Sequence, residues 1–129
     1  MSEEDAVRQV LRNRQLASLG DAYVNFVYSL ALTKVNKRPE GVKVSDRVLA
    51  QAFKLAGLRD YLGTRVTRKD LANACESLLV EAYLSDLLSI EESITILTQD
   101  PGGVTAGLVN LLKVAAEQVR QKAQAMHDC

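Results

Sequence analysis

Leu16-Ala17-Ser18-Leu19-Gly20-Asp21-Ala22-Tyr23-Val24-Asn25-Phe26-Val27-Tyr28-Ser29-Leu30-Ala31-Leu32-Thr33-Lys34-Val35 decides the fold. Its apolar residues do not alternate as in a strand; they cover most sides of a 3.6-residue period, as in a helix central to a core. Asn36-Lys37-Arg38-Pro39-Glu40-Gly41 breaks it. Two residues sit oddly inside it. Gly20 costs ~1 kcal/mol relative to alanine in a helix interior, so it needs a packing or functional reason. Asp21 stands among Leu, Ala, Tyr and Val, where a carboxylate must be paired, hydrogen-bonded or bound to metal.

Outward from this stretch the chain reads as helices throughout. Ser2-Glu3-Glu4-Asp5 supplies a cap and first-turn acids, followed by Ala6, Val7, Val10 and Leu11 at helical spacing. Ser45-Asp46 starts a helix that runs to Gly57, and Leu58 to Leu62 add a short turn. Thr67-Arg68-Lys69-Asp70 resembles a capping box with Asp in place of Glu and launches a helix to about Leu84. Ser89-Ile90-Glu91-Glu92 is a capping box for a helix ending near Thr98, and Asp100-Pro101-Gly102-Gly103 is the next break. The last helix begins near Val104 and is expected to fray beyond Arg120, where the pattern turns polar. The chain is thus expected to be one all-α domain over residues 1–129, of about six or seven helices.

A length of 129 residues suits one domain with its own core. No uncharged apolar run approaches the ~18 residues of a membrane span. The acidic start is unlike a signal peptide, and Cys75 and Cys129 are too few for a disulfide framework. A cytoplasmic protein is the expectation. Sixteen Lys+Arg balance sixteen Asp+Glu, which argues against a simple basic nucleic-acid arm. The balance conceals a split, however. Ten basic and three acidic residues between Lys34 and Lys69 carry +7, and three basic and nine acidic residues from Asp70 onward carry −6. Such asymmetry fits either an anionic partner met by one surface or ordinary solvated helix faces.

At ~100° per residue, Arg14, Ala17, Asp21 and Asn25 project from one side of their helix, and Lys69, Asn73, Glu76 and Val80 share a face of another. Glu76 precedes Leu78-Leu79-Val80, so it too has a mostly apolar neighbourhood. Two inward carboxylates could together hold a hard divalent cation; alternatively each pairs with an arginine such as Arg14 or Arg47. Cys75 reads as a packed thiol, and Tyr23, Phe26 and Tyr28 as core or interface residues. His127 has no partner that would make a metal site or a nucleophile–base pair. There is no glycine-rich phosphate loop and no zinc spacing.

Asn13-Arg14-Gln15-Leu16-Ala17-Ser18-Leu19-Gly20-Asp21-Ala22-Tyr23-Val24 resembles the NERLEFLGDAVL signature of the ribonuclease III endonuclease domain. Asn73-Ala74-Cys75-Glu76-Ser77-Leu78-Leu79-Val80-Glu81-Ala82-Tyr83-Leu84-Ser85 looks like its second motif, DxxEALIGAIYLD. Between them, Val48 to Leu62 is similar to the family's LAxxAxxLGLxxYL segment. The resemblance covers Asn13 to Ser85, and a short archaeal branch without a double-stranded-RNA-binding domain looks closest.

The resemblance implies a dimeric helical bundle with the signature helix at the two-fold axis. It also implies a metal-dependent endonuclease acting on double-stranded or structured RNA with Mg²⁺ or Mn²⁺. Of the four carboxylates the family uses per subunit, Asp21 and Glu76 remain as catalytic and metal-binding residues. Ala17 stands at one of the other positions, and Asn73 at the other, as a neutral metal ligand. Arg14, Arg65, Arg68 and Lys69 neighbour the motifs and are the expected RNA contacts, each with an ordinary surface role as the alternative. Two other readings stay open: a catalytically degenerate member serving as an RNA-binding or ribosome-associated scaffold, and a helical dimerisation module with no RNA role.

Overall fold

The computed structural model describes residues 2–128. Cys129 and the side chain of His127 lie outside the described residues. Among the described residues six α-helices follow one another: α1 (Glu3–Leu11), α2 (Arg14–Asn36), α3 (Asp46–Leu55), α4 (Arg68–Leu84), α5 (Ile90–Gln99) and α6 (Val104–Asp128), with one 3₁₀ turn at Arg59–Leu62 between α3 and α4. There is no strand among the described residues. The all-helical expectation holds, as do most of its boundaries.

The caps explain those boundaries. The hydroxyls of Ser2, Ser45, Thr67 and Ser89 each accept from an amide in the first turn, satisfying donors that the helix itself cannot. Thr67 with Asp70 and Ser89 with Glu92 form complete capping boxes. The second helix starts two residues before the expected Leu16, because the Asn13 side chain accepts from the Leu16 amide at 3.0 Å. It ends on Lys37 in the left-handed conformation, φ 57°.

Two features differ from expectation. The last helix does not stop near Arg120 but continues to Asp128. Gln121-Lys122-Ala123-Gln124-Ala125-Met126 are good helix formers, and Arg120 fastens the helix at its last buried turn by pairing with Glu3 of α1 at 2.7 Å. Moreover, the helix buried on nearly every side is α4, not α2. From Leu71 to Val80, every residue except Asn73 is buried, Glu76 included. α2, α3, α6 and α1 surround it, and its most extensive contact is with α2. Phe53, Leu49, Leu108, Leu111 and Leu112 close the core around it. α2 instead turns one stripe outward: Leu19 and Phe26 are 49% and 56% exposed, with Ala22 exposed between them.

Candidate active site

Gly20 lies buried where α2 crosses α4. A methyl group added there would overlap the carbonyl of Glu76. Glycine is therefore required for the two backbones to meet, which is the packing reason that its helix-interior position demanded. The same contact places the next residue, Asp21, beside the side chain of Glu76. Gly107 of α6 performs the same service against the Leu97 carbonyl of α5, far from any carboxylate pair.

Asp21 is 49% exposed at its side chain and is held from two directions. Asn25, one turn further along α2, donates its Nδ2 to Asp21 Oδ1 at 3.1 Å. Lys43 Nζ reaches the same oxygen at 3.1 Å from the loop between α2 and α3. Asn25 also accepts the Val44 amide on its Oδ1 at 2.7 Å, so one side chain ties together the carboxylate and the loop that carries its cation. The Lys43 ammonium, and secondly the neighbouring Glu76 carboxyl, hold the Asp21 carboxyl below the ordinary carboxylate range.

Glu76 is the opposite case. It is 4% exposed, and burial, followed by its contact with Asp21, pushes its carboxyl up to about 7. Lys69 acts the other way without matching that burial. The proton affinities of the two neighbouring carboxyls are thus driven in opposite directions, Asp21 down and Glu76 up. Such divergence is characteristic of sites built for chemistry, although ion-pair networks also produce it.

Around the pair, Arg14, Ala17, Ser18, Lys69, Asp70 and Asn73 complete a cleft of about 440 Å³. The Arg14 side chain makes no hydrogen bond or ion pair among the described residues. Lys69 is engaged with Asp46 of α3 at 3.5 Å. The cleft continues over Ala17, Asp70 and Asn73 into a second concavity lined by Arg12, Asn13, Leu62 and Val66, and Arg12 and Asn13 carry it on to Arg8 on α1.

The structure thus brings together Asp21, Glu76, Asn73, Arg14 and Lys69. Arg65, exposed at a positive φ of 61°, and Arg68, exposed in the first turn of α4, are not among the residues lining this cleft. Neither arginine named as an alternative partner for the carboxylates plays that part; Lys43 does, and it was not foreseen. It lies 22 residues from Asp21, and no periodicity links a loop lysine to a helix carboxylate. Arg12 was also missed. Cys75 is wholly buried, its thiol pushed far above its ordinary range, in keeping with a packed role. Tyr23 stacks on Tyr83 with ring centroids 5.1 Å apart, and Tyr28 bonds to Thr105 at 2.8 Å, so both are occupied structurally.

Two carboxylates from crossing helices thus meet in a cleft whose lining carries both signs, Arg14 and Lys69 beside Asp21, Asp70 and Glu76. A family model described as Ribonuclease III matches residues 14–122, and the chain belongs to that family. No curated protein matches the chain. Membership supports an RNA endonuclease-type function in general, and the family generally uses a divalent metal. No helix among the described residues is long and apolar enough to cross a membrane.

The set of donors that could meet such an ion is small. Among the described residues, no group of three or more His, Cys, Asp or Glu side chains is placed to hold a metal. Asp21 and Glu76, with the Asn73 carbonyl in the same cleft, match the one or two carboxylates with which Mg²⁺ is usually bound, the rest of its shell being water and substrate oxygen. A divalent charge there would offset the repulsion between the two carboxylates and the cost of ionising Glu76 in its buried position.

Proposed function

We propose that this protein is a metal-dependent endonuclease of double-stranded or structured RNA that works with a reduced carboxylate set, as a single domain over residues 1–129. The observation that carries this is the Gly20–Glu76 backbone contact, which sets Asp21 against a buried glutamate in a cleft that Arg14 and Lys69 line together with Asp70 and Asn73. A bound Mg²⁺ or Mn²⁺ would supply charge to polarise a phosphodiester and lower the pKa of a water. Asp21, Glu76 and Asn73 would hold that ion. Asn25 fixes the Asp21 carboxylate, while burial of Glu76 keeps its second oxygen from wandering into solvent.

Arg14 and Lys69 would meet RNA phosphates in the cleft, with Arg12 continuing the track and Arg65 and Arg68 outside it. Phosphate and 2′-OH contacts of this kind recognise duplex shape rather than sequence. The exposed apolar stripe of α2 fits a homodimer whose two-fold axis runs along Leu19, Ala22 and Phe26. The cytoplasm is the fitting compartment.

One observation favours a second reading. With Ala17 and Asn73 at two carboxylate positions, the same fold would serve as a catalytically inert RNA-binding or ribosome-associated scaffold. Labelled duplex RNA incubated with millimolar Mg²⁺ or Mn²⁺ separates the two. We expect slow cleavage by the parent, its loss in Asp21→Asn, and at least a tenfold increase in Asn73→Asp. Cleavage indifferent to Asp21→Asn would overturn the site assignment; none in either the parent or Asn73→Asp would establish the scaffold.

A further inference from the structure

Lys43 is not a lysine that happens to drape over a carboxylate. Both neighbouring residues in its loop are fastened to α2: the Val42 amide donates to Ser29 Oγ at 2.9 Å, and the Val44 amide donates to Asn25 Oδ1 at 2.7 Å. Thr33 adds a third tie by accepting the Glu40 amide at 3.0 Å. Val44 itself is buried. The backbone on either side of Lys43 is therefore fixed relative to Asp21, and only the side chain is free to move. That side chain is 73% exposed, and its ammonium lies on the Asp21 oxygen that also receives Asn25.

We propose that Lys43 is a specificity-determining residue of the site: a tethered cation that occupies Asp21 until a divalent ion displaces it, setting the ion concentration at which the site fills. This rests on the metal-binding role assigned above to Asp21. An exposed ammonium–carboxylate pair is worth only about 0–1 kcal/mol, so a doubly charged ion supported by Glu76 and Asn73 displaces it readily. Nonetheless the pair competes. Without Lys43 an ion would meet Asp21 with no cation to displace; with Lys43 in place, a higher ion concentration is needed to fill the site. The fixed backbone returns the ammonium to Asp21 when the ion leaves. Lys69 is the natural comparison, since it carries the same charge into the same cleft but pairs with Asp46 instead of Asp21.

The test is Mn²⁺ affinity of the RNA-free protein, read by electron paramagnetic resonance of the free ion and by calorimetry. The wild type is compared with Lys43→Met, Lys69→Met and Asp21→Asn, and circular dichroism checks that each is folded. We expect Lys43→Met to bind Mn²⁺ about fivefold more tightly, the equivalent of an exposed ion pair, and Lys69→Met to gain clearly less. Equal gains in the two lysine variants would reduce Lys43 to a diffuse field and overturn the proposal, as would unchanged or weaker binding in Lys43→Met. Binding lost in Asp21→Asn but indifferent to Lys43→Met would defeat this inference alone. Binding indifferent to Asp21→Asn, or absent from every variant, would defeat the metal assignment as well.

Discussion

Replacing Glu76 with glutamine removes a buried charge while keeping the shape and a donor that can face Asp21. In the folded protein the Glu76 carboxyl is pushed from the ordinary 4.5 up to about 7. Each pH unit of such a displacement corresponds to 1.36 kcal/mol, so an ionised Glu76 costs the fold about 3 kcal/mol at pH 8 in the absence of metal. The sign follows from proton binding. Between pH 4.5 and 7 the folded state holds a proton that the unfolded state has released, so stability falls as pH rises through that window and levels off above it. Asp21, whose affinity for protons is lowered, contributes the reverse slope at lower pH, and does so in both proteins. Glu76→Gln should therefore match the wild type near pH 4.5 and exceed it by about 2–3 kcal/mol at pH 8. Urea unfolding in EDTA at the two pH values measures this through the midpoint, with the slope as a check on two-state behaviour. A gain equal at both pH values, or a loss at pH 8, would refute the account of Glu76 as a charge buried at the fold's expense. Millimolar Mg²⁺ should narrow the difference, because it stabilises more the protein that retains both carboxylates.

Three further outcomes follow from the same geometry. Gly20→Ala, which in an ordinary helix interior would stabilise by up to ~1 kcal/mol, should here destabilise by about 1–3 kcal/mol through overlap with the Glu76 carbonyl; an unchanged or raised Tm would contradict the close crossing. Phe26→Asp should convert a dimer to monomer in sedimentation velocity with little loss of helix by circular dichroism, and a species of unchanged mass would dismiss the α2 stripe as the interface. Arg14→Ala should lower the dependence of log K on log salt for duplex RNA by about 0.9, one phosphate contact, whereas a parallel line would take Arg14 out of the RNA track.

Where local chemistry decides a structural feature, the sequence was a good guide. Thr67 with Asp70 and Ser89 with Glu92 mark their helix starts because the capping contact spans three residues and needs nothing from the rest of the chain. Gly20-Asp21 was conspicuous for the same reason, since both residues violate the rules of an apolar helix. The pairing of Asp21 with Glu76 was legible only through family resemblance, because 55 residues separate them and nothing in the spacing says that α2 crosses α4 at Gly20. Lys43 escaped altogether: its role depends on a loop whose path is set by Ser29 and Asn25, two polar residues that look unremarkable on a helix. α2 was expected to be central because its apolar residues cover most sides, yet Leu19 and Phe26 face outward, whereas Ala72, Ala74 and Ala82 of α4 are small and wholly enclosed.

The Gly20 crossing has a consequence for how this site can change. Main chain, not side chain, sets the separation between the Asp21 and Glu76 positions, so substitutions at Ala17 or Asn73 leave that spacing untouched. Chemistry and scaffold are therefore inherited separately. A lineage can lose ligands one at a time without collapsing the niche that held them, and a single codon change can refill a position whose surroundings were never dismantled. Only a side chain at residue 20 would close that route, by forcing the helices apart and erasing the address at which the ligands meet.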